Sequence, residues 1–542
     1  MIYEVDIFAM KNRLFFHSIA AILLTTAVPA AFADQLDELR ALRDTTINLV
    51  RLLVQEGLIS KEKADALIEQ AEKAGVAAQA ANAAPGQPAE QPQGESKVVR
   101  VPYVPELVKN ELREEIKQEV LTQAKNERWG DPGTLPDWLN RISLSGDMRL
   151  RGEKDSFPDG AVPNAPPAIQ QLFGTNINNT TEDTATMKLR LRLALQIKVA
   201  DTVSAGARLA TGGTGSGSNP VSTNQTLGSY GSRYTLGVDR AWITYKPANW
   251  LLATGGRIAN PYFAPTELVW DDDLNFEGAA VKVMPKFNEN VSAFATVGAF
   301  PIQYIEPTPT NAARTKWLYG YQAGLNLNSY ELGSLRLATA LYDYRRVEGT
   351  PDPDPSVDPR SHLYDLTAPQ FRQKGNTVFY IDEFTNPTAP TLFGLASRFR
   401  EVNFSGSLDI AYFDPYHVIL DADYVRNIGF DENEIFRRTG LDLEPRTIGY
   451  QTQLTVGMPA MQKFGDWQGF VGYRYVQRDA TLDAFTGSDF HLGGTDAKGY
   501  FLGGGFAFEK NTYLMLRWFS GKEIDNLPLA IDVLQLDLNT KF

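Results

Sequence analysis

Three consecutive carboxylates, Asp271, Asp272 and Asp273, sit near the end of the stretch GGRIANPYFAPTELVWDDDLNFEG, with Glu267 just ahead of them. Cations are concentrated elsewhere at alternate positions: Arg149 and Arg151, then Lys188, Arg190 and Arg192, with Arg240 and Arg257 further on. Alternate residues of a strand share one face, so each of the first two groups is a cationic row. The acidic triplet has three readings. It could be solvated surface charge at a strand start, hold Ca²⁺ with nearby carbonyls, or face the basic rows across a water-filled lumen. In the last case the opposed signs set up a transverse field that orders water and turns polar solutes. Catalytic chemistry has few candidates. Beyond the N-terminal segment the histidines are His362, His417 and His491, none near a G-x-S-x-G nucleophile motif. With no cysteine there is neither a thiolate nor a C-x-x-C-H haem attachment. No cofactor, no metal and no enzymatic activity are expected.

Patterning along the chain shows what kind of scaffold carries these charges. The mean hydropathy of −0.26 is too polar for a bundle of membrane helices, and only one long apolar run exists, near the start. A membrane barrel leaves no such run, because its strands alternate. The net charge of −13 lacks the basic surface that nucleic acid demands.

The apolar run lies in MKNRLFFHSIAAILLTTAVPAAFADQ, where Lys11 and Arg13 precede it and Ala31-Phe32-Ala33 come after it. This is the pattern of a secretory signal, residues 1–33, with Met10 as the working start and the mature chain beginning at Asp34. The competing reading is an anchor helix. Residues 34–74 have helical spacing in two halves broken at Gly57, a helical hairpin that either self-associates or docks, or is a solvated decoration. The Ala/Gln/Pro-rich segment 75–100 is a linker. Residues 101–140 place Val108, Leu112, Ile116 and Val120 at intervals of four, an amphipathic, coiled-coil-like helix leading into a strand-rich region.

From Arg141 to Phe542 the period changes to two. RISLSGDMRLRGE and TATMKLRLRLALQIKVA each set aliphatic residues against charged ones, and the pattern continues for about sixteen strands. Short turns at 200–201, 247–249, 414–415 and 510–511 alternate with long connections at 154–184, 212–235, 259–274, 301–314, 348–397, 429–445 and 479–497. An even strand number, alternating loop lengths, and apolar-out, polar-in faces predict an all-β transmembrane barrel in the outer membrane, preceded by α-helical segments. Closure is required because an open edge in hydrocarbon leaves backbone groups unpaired. Aromatics near strand ends, among them Trp250, Trp317, Tyr473 and Trp518, suit interfacial girdles, whereas Trp242, on a polar face, could line the lumen.

The last strand, IDVLQLDLNTKF, ends on Phe542, which is similar to the signal read by the barrel-assembly machinery of Gram-negative bacteria, although Thr540 departs from the usual bulkier residue. Together with VPYVPELVKNELREEIKQEV, LPDWLNRISLSGDMRLRGE and the Asp271–Asp273 stretch, this resembles the putative porin family of the Gram-negative outer membrane. The resemblance implies a trimeric or monomeric pore of sixteen strands surrounded by outer-membrane lipid, passing small hydrophilic solutes. In general porins, which the chain also resembles, the third long loop folds inward, which here would place Glu267 and Asp271–Asp273 opposite Arg149, Arg151, Lys188, Arg190, Arg192, Arg240 and Arg257 at a constriction. Substrate-specific transport, or service as the sheath of a larger complex, stands as the alternative. The N-terminal helices are expected in the periplasm, where they could trimerise the pore or reach peptidoglycan.

Overall fold

The computed structural model describes residues 141–158, 182–215, 218–329, 332–354, 356, 358, 362–386, 388, 391–525 and 529–542. The signal, hairpin, linker and amphipathic-helix expectations for residues 1–140 lie outside these.

The wall consists of β1 (Ile142–Ser156), β2 (Thr184–Lys198), β3 (Val203–Ala210), β4 (Gly237–Ala248), β5 (Leu251–Ala259), β6 (Asn275–Val283), β7 (Val291–Gln303) and β8 (Lys316–Ser329). It continues through β9 (Gly333–Arg345), β10 (Arg400–Phe413), β11 (Tyr416–Asn427), β12 (Ile448–Gly457), β13 (Trp467–Val476), β14 (Ala497–Glu509), β15 (Thr512–Glu523) and β16 (Ala530–Lys541). Each pairs antiparallel with its sequence neighbours, and β1 pairs with β16 in the register Arg151↔Asp537. The result is a closed barrel of sixteen antiparallel strands, so no wall edge is left to seek a partner. The chain closes through its own terminus: Gly146 and Phe542 exchange both backbone hydrogen bonds, at 2.8 and 3.0 Å, and the Phe542 ring lies where a side chain at position 146 would have to be.

The faces divide as the two-residue period demands. Leu144, Met187, Ile243, Val297, Phe404 and Leu536 are exposed on the outside, while Arg151, Glu153, Arg208, Thr296, Asn403 and Gln535 are buried on the inside. A water-soluble barrel would reverse this. Aromatic rings collect outside near strand ends, including the stacked pairs Trp317–Tyr319 and Tyr450–Tyr475, at 5.8 and 5.2 Å between centroids. Trp242 instead packs against the interior cluster.

The connections at one end are short: 199–202, 249–250, 284–290, 330–332, 414–415, 458–466 and 510–511. At the other end we number the connections L1 to L8. The ones that matter here are L2 (211–236), L3 (260–274), L5 (346–399), L6 (428–447) and L7 (477–496). L6 carries α1 (Glu432–Thr439), started by the Asp431 side chain, which accepts from the Glu434 N–H at 3.0 Å, and stopped by left-handed Gly440. L5 folds inward. Gln373 donates to the Asp483 and Thr486 carbonyls of L7, Asn376 donates to the Thr481 carbonyl, and Thr377 holds the Asp479 carboxylate. Between them the fully buried His491 donates through Nε2–H to the Leu529 carbonyl at 2.9 Å, which leaves Nδ1 to accept from Lys374 at 2.5 Å. Burial, and then the Lys374 charge, hold His491 well below the usual histidine range, consistent with that neutral tautomer.

The main apolar core lies inside the barrel. Tyr262, Leu268, Val269 and Trp270 of L3 pack with Phe276, Phe300, Leu318, Tyr342 and Tyr344 of the wall and with Leu482 of L7. Trp270 meets Tyr342 and Phe276 edge-on at 4.9 and 5.0 Å, and Tyr262 meets Tyr342 at 5.2 Å. The wall makes room by omission: a Cβ at Gly298 would sit 2.7 Å from the Tyr262 hydroxyl, and one at Gly320 would overlap it. Each such ring removed from water contributes about 1.5–3 kcal/mol, which is what draws a loop rich in aromatics into the lumen.

Candidate functional site

L3 thus leans on β6–β9 through its apolar side and turns its acidic end toward β1–β4. The three aspartates do three different things. Asp271 is a clamp: its carboxylate accepts from the Ser488 N–H of L7 at 2.8 Å and from the Asp273 N–H at 2.8 Å, while its own N–H donates to the Phe485 carbonyl. Asp272 is exposed to the lumen. Asp273 is buried and reaches the wall, with Oδ1 2.9 Å from Arg192 Nη1 and 3.6 Å from Arg190 Nη1, and Oδ2 accepting from the Thr223 N–H and hydroxyl of L2. Glu267 accepts from the Asp272 N–H at 3.2 Å, and its carbonyl takes the Gly487 N–H. Among the described residues, the ligand atoms that converge within 4.8 Å in the manner of a cation site belong to Asp352, His362 and Asp365 on L5, and not to the triplet.

These environments set the charges. Burial, then the Asp272 and Asp489 carboxylates, push Glu267 up to about 8. Burial, then Glu267 and Asp273, raise Asp271 well above the carboxylate range. Asp272, though its side chain is open to the lumen, is raised too, by desolvation from the protein crowded around it and then by Asp273, against the pull of Arg192 and Arg190. Burial would also raise Asp273, but Arg190, Arg192 and Arg149 outweigh it and hold this carboxylate low. In L7, Arg151, Arg517 and Arg149 do the same for Asp489, against its burial.

On the wall, Arg192 Nε binds Asp147 at 2.8 Å, and Arg190 reaches the same carboxylate at 3.1 Å. Arg151 is almost fully buried and forks onto Asp537 at 2.7 and 3.0 Å, with Asp489 at 2.8 Å. Arg517 joins those two carboxylates at 2.8 and 3.1 Å. Arg149 donates to Asn224 at 2.6 Å and lies 3.9 Å from Asp537. Lys188 pairs with Glu153, Arg257 with Glu277 at 2.5 Å, and Arg240 donates to Asn275 at 2.5 Å.

Of the residues singled out in the sequence, the structure therefore brings Glu267, Asp271, Asp272, Asp273, Arg149, Arg190, Arg192 and Arg240 around one cavity of about 620 Å³. Contact between the signs is direct, through Asp273, rather than across open water. Arg151, Lys188 and Arg257 are on the barrel wall but take other carboxylates. Sequence reasoning missed Arg208, Asp489, Arg517 and Asp537, which border the same cavity. Arg517 and Asp537 could have been found by extending the polar-face count to the last two strands. Asp489 could not, since it is one acid in a long loop. On the L2 side a second cavity of about 600 Å³ is lined by Trp270, Phe300, Phe371 and Phe485.

A closed barrel with an apolar exterior and a charged, cavity-bearing interior defines an outer-membrane channel. The chain belongs to the family described as "Putative porin", whose model matches residues 43–542. Similar solved structures include the outer-membrane channel DcaP of Acinetobacter baumannii, at 12% identity and TM-score 0.36 over 74% of this chain and 97% of that one. OprB of Pseudomonas putida aligns at 12% identity and TM-score 0.42 over 76% and 97%, respectively. OmpF of Salmonella typhi, in a complex with daunomycin, aligns at 9% and 0.38 over 74% and 97%. No curated protein sequence matches the chain.

Proposed function

We propose that the protein is a non-enzymatic diffusion channel, passing small hydrophilic solutes and ions through a lumen narrowed by L3. The observation that carries this reading is the cavity between the L3 acids and the arginines of β1–β4, set beside an apolar plug that fills part of the lumen. Arg149, Arg190, Arg192 and Arg240 on one side, with Glu267, Asp272 and Asp273 on the other, act as the constriction, and Arg151, Lys188 and Arg257 stiffen the wall around it. Because both signs are present, selectivity between simple cations and anions is weak. Short turns face the periplasm, and an even strand number returns the N-terminal helices to that side, within reach of peptidoglycan or of sister subunits in a trimer. Phe542 serves as the assembly signal. Liposome swelling with sugars of graded size tests the core of this reading. Uptake that falls steeply with solute size is expected; swelling no faster than protein-free liposomes for every sugar would refute it.

A further inference from the structure

Resting on that reading, we infer that the β3/β4 face of the lumen holds an oxyanion-binding subsite, formed by Arg208 and Arg240, that gives small carboxylates and phosphates a saturable stop in the channel. The two arginines stand directly opposite each other in the β3–β4 register, an arrangement of like charges that destabilises a sheet unless something is placed between them. Four neighbouring arginines are matched: Arg190 and Arg192 share Asp147 and Asp273, and Arg151 and Arg517 share Asp537 and Asp489. Arg240 is not. Among the described residues its hydrogen-bond partner is the neutral Asn275 side-chain oxygen, and no carboxylate lies within ion-pairing distance. Arg208 spends its Nε on Asp239, and its Nη2 is buried with no hydrogen-bond partner among them.

Asn275 keeps the arrangement in place. Its oxygen accepts from Arg240 while its nitrogen donates to Asp239 at 2.6 Å, and Arg257 donates to the Asp239 carbonyl at 2.7 Å, so the direct contacts of this carboxylate go to Arg208 and Asn275 rather than to Arg240. What remains is one guanidinium with no carboxylate in contact, acted on by Asp239 and Asp273 only at longer range, beside a second that keeps an unsatisfied nitrogen, and both residues line the same 620 Å³ cavity. Planar N–H donors match a ligand with two or more oxygens at carboxylate spacing, and neither a halide nor a sugar hydroxyl offers that. A neutral solute of equal size would pass with no stop.

The test uses the purified full chain in planar bilayers in dilute KCl, with inorganic phosphate or acetate added on one side. In the wild type, either anion should reduce the chloride-carried current along a saturating curve, while glucose should not. Arg240→Gln should raise the half-blocking concentration about tenfold or more, since a hydrogen bond to a charged group is lost, and Arg240→Lys should fall between. Arg336 is the control: it too has no carboxylate in contact among the described residues, but its guanidinium lies between the Phe263 and Phe294 rings, at 4.2 and 4.6 Å. Arg336→Gln should block as the wild type does. Heat-modifiable migration on gels confirms that each variant is a folded barrel, and Arg208→Gln provides a second route to the same loss. Currents that rise linearly with phosphate and acetate overturn the subsite, as does unchanged block in folded Arg240→Gln; block by only one of the two anions overturns the shared oxyanion chemistry. Sugar permeation without anion block refutes the subsite alone, whereas a chain that permeates nothing refutes the channel reading beneath it.

Discussion

Replacing Asp273 with Asn removes the one L3 carboxylate in direct contact with the arginine wall, 2.9 Å from Arg192 and 3.6 Å from Arg190. Both arginines keep Asp147, so the loss is partial. Breaking a buried pair outright costs about 3–5 kcal/mol, and with a second carboxylate still in place about 1–3 kcal/mol is expected. The barrel, held by sixteen paired strands, survives that. The larger consequence is electrical. One unit charge acts on an ion about 5 Å away in water with about 0.8 kcal/mol, and screening over a Debye length of about 10 Å reduces this to about 0.5 kcal/mol. The anion and the cation feel this energy with opposite sign, so those limits correspond to an anion-to-cation permeability ratio raised about fivefold to about seventeenfold. Reversal potentials across a KCl gradient kept at low ionic strength measure the ratio directly, and the shift should shrink as salt is raised. An Asp273→Asn channel that is folded and conducts, yet reverses at the wild-type potential in low salt, would show that this carboxylate is not at the narrow point.

The same geometry sets two other outcomes. Glu267, pushed up to about 8, is mostly neutral below that pH and charged above it, so taking the bath from about pH 6 to about pH 9 adds negative charge to the L3 rim and should raise cation preference; Glu267→Gln should reduce the change in reversal potential over that range, and an unchanged profile would remove Glu267 from the pore. Trp270→Ala removes the ring at the centre of the interior plug, 2% exposed in the wild type, at a cost of about 3–5 kcal/mol borne mainly by L3; single-channel conductance should rise and protease should reach L3 in the folded barrel, whereas unaltered conductance would mean that the loop is held by its polar clamps alone.

The barrel was legible in the sequence because a membrane makes its rule local. Every residue of a spanning strand faces either lipid or lumen, so TATMKLRLRLALQIKVA states its two faces with no knowledge of its neighbours. The strand count, the alternation of short and long connections, and the need for closure come from repeating that rule and from pairing every backbone group. Loop L3 was found in the same way, by its number in the count. How the L3 aspartates divide their work was not legible. Asp271, Asp272 and Asp273 are one residue type in one run, and only packing against L7, L2 and β2 makes them a clamp, a solvent-facing charge and an ion-pair partner. The aromatic plug was hidden for a related reason. Trp270 and Tyr262 look like ordinary loop residues until Gly298, Gly320 and Tyr342, from other strands, supply the space and the rings they meet. The same holds for Arg240, whose direct partner is Asn275 rather than a carboxylate because Asp239 is taken up by Asn275 and Arg208. Periodicity along the chain decides which way a side chain points. Which groups it then meets across the lumen is set by long-range closure, where contact partners are far apart in sequence and their charges are assigned by burial.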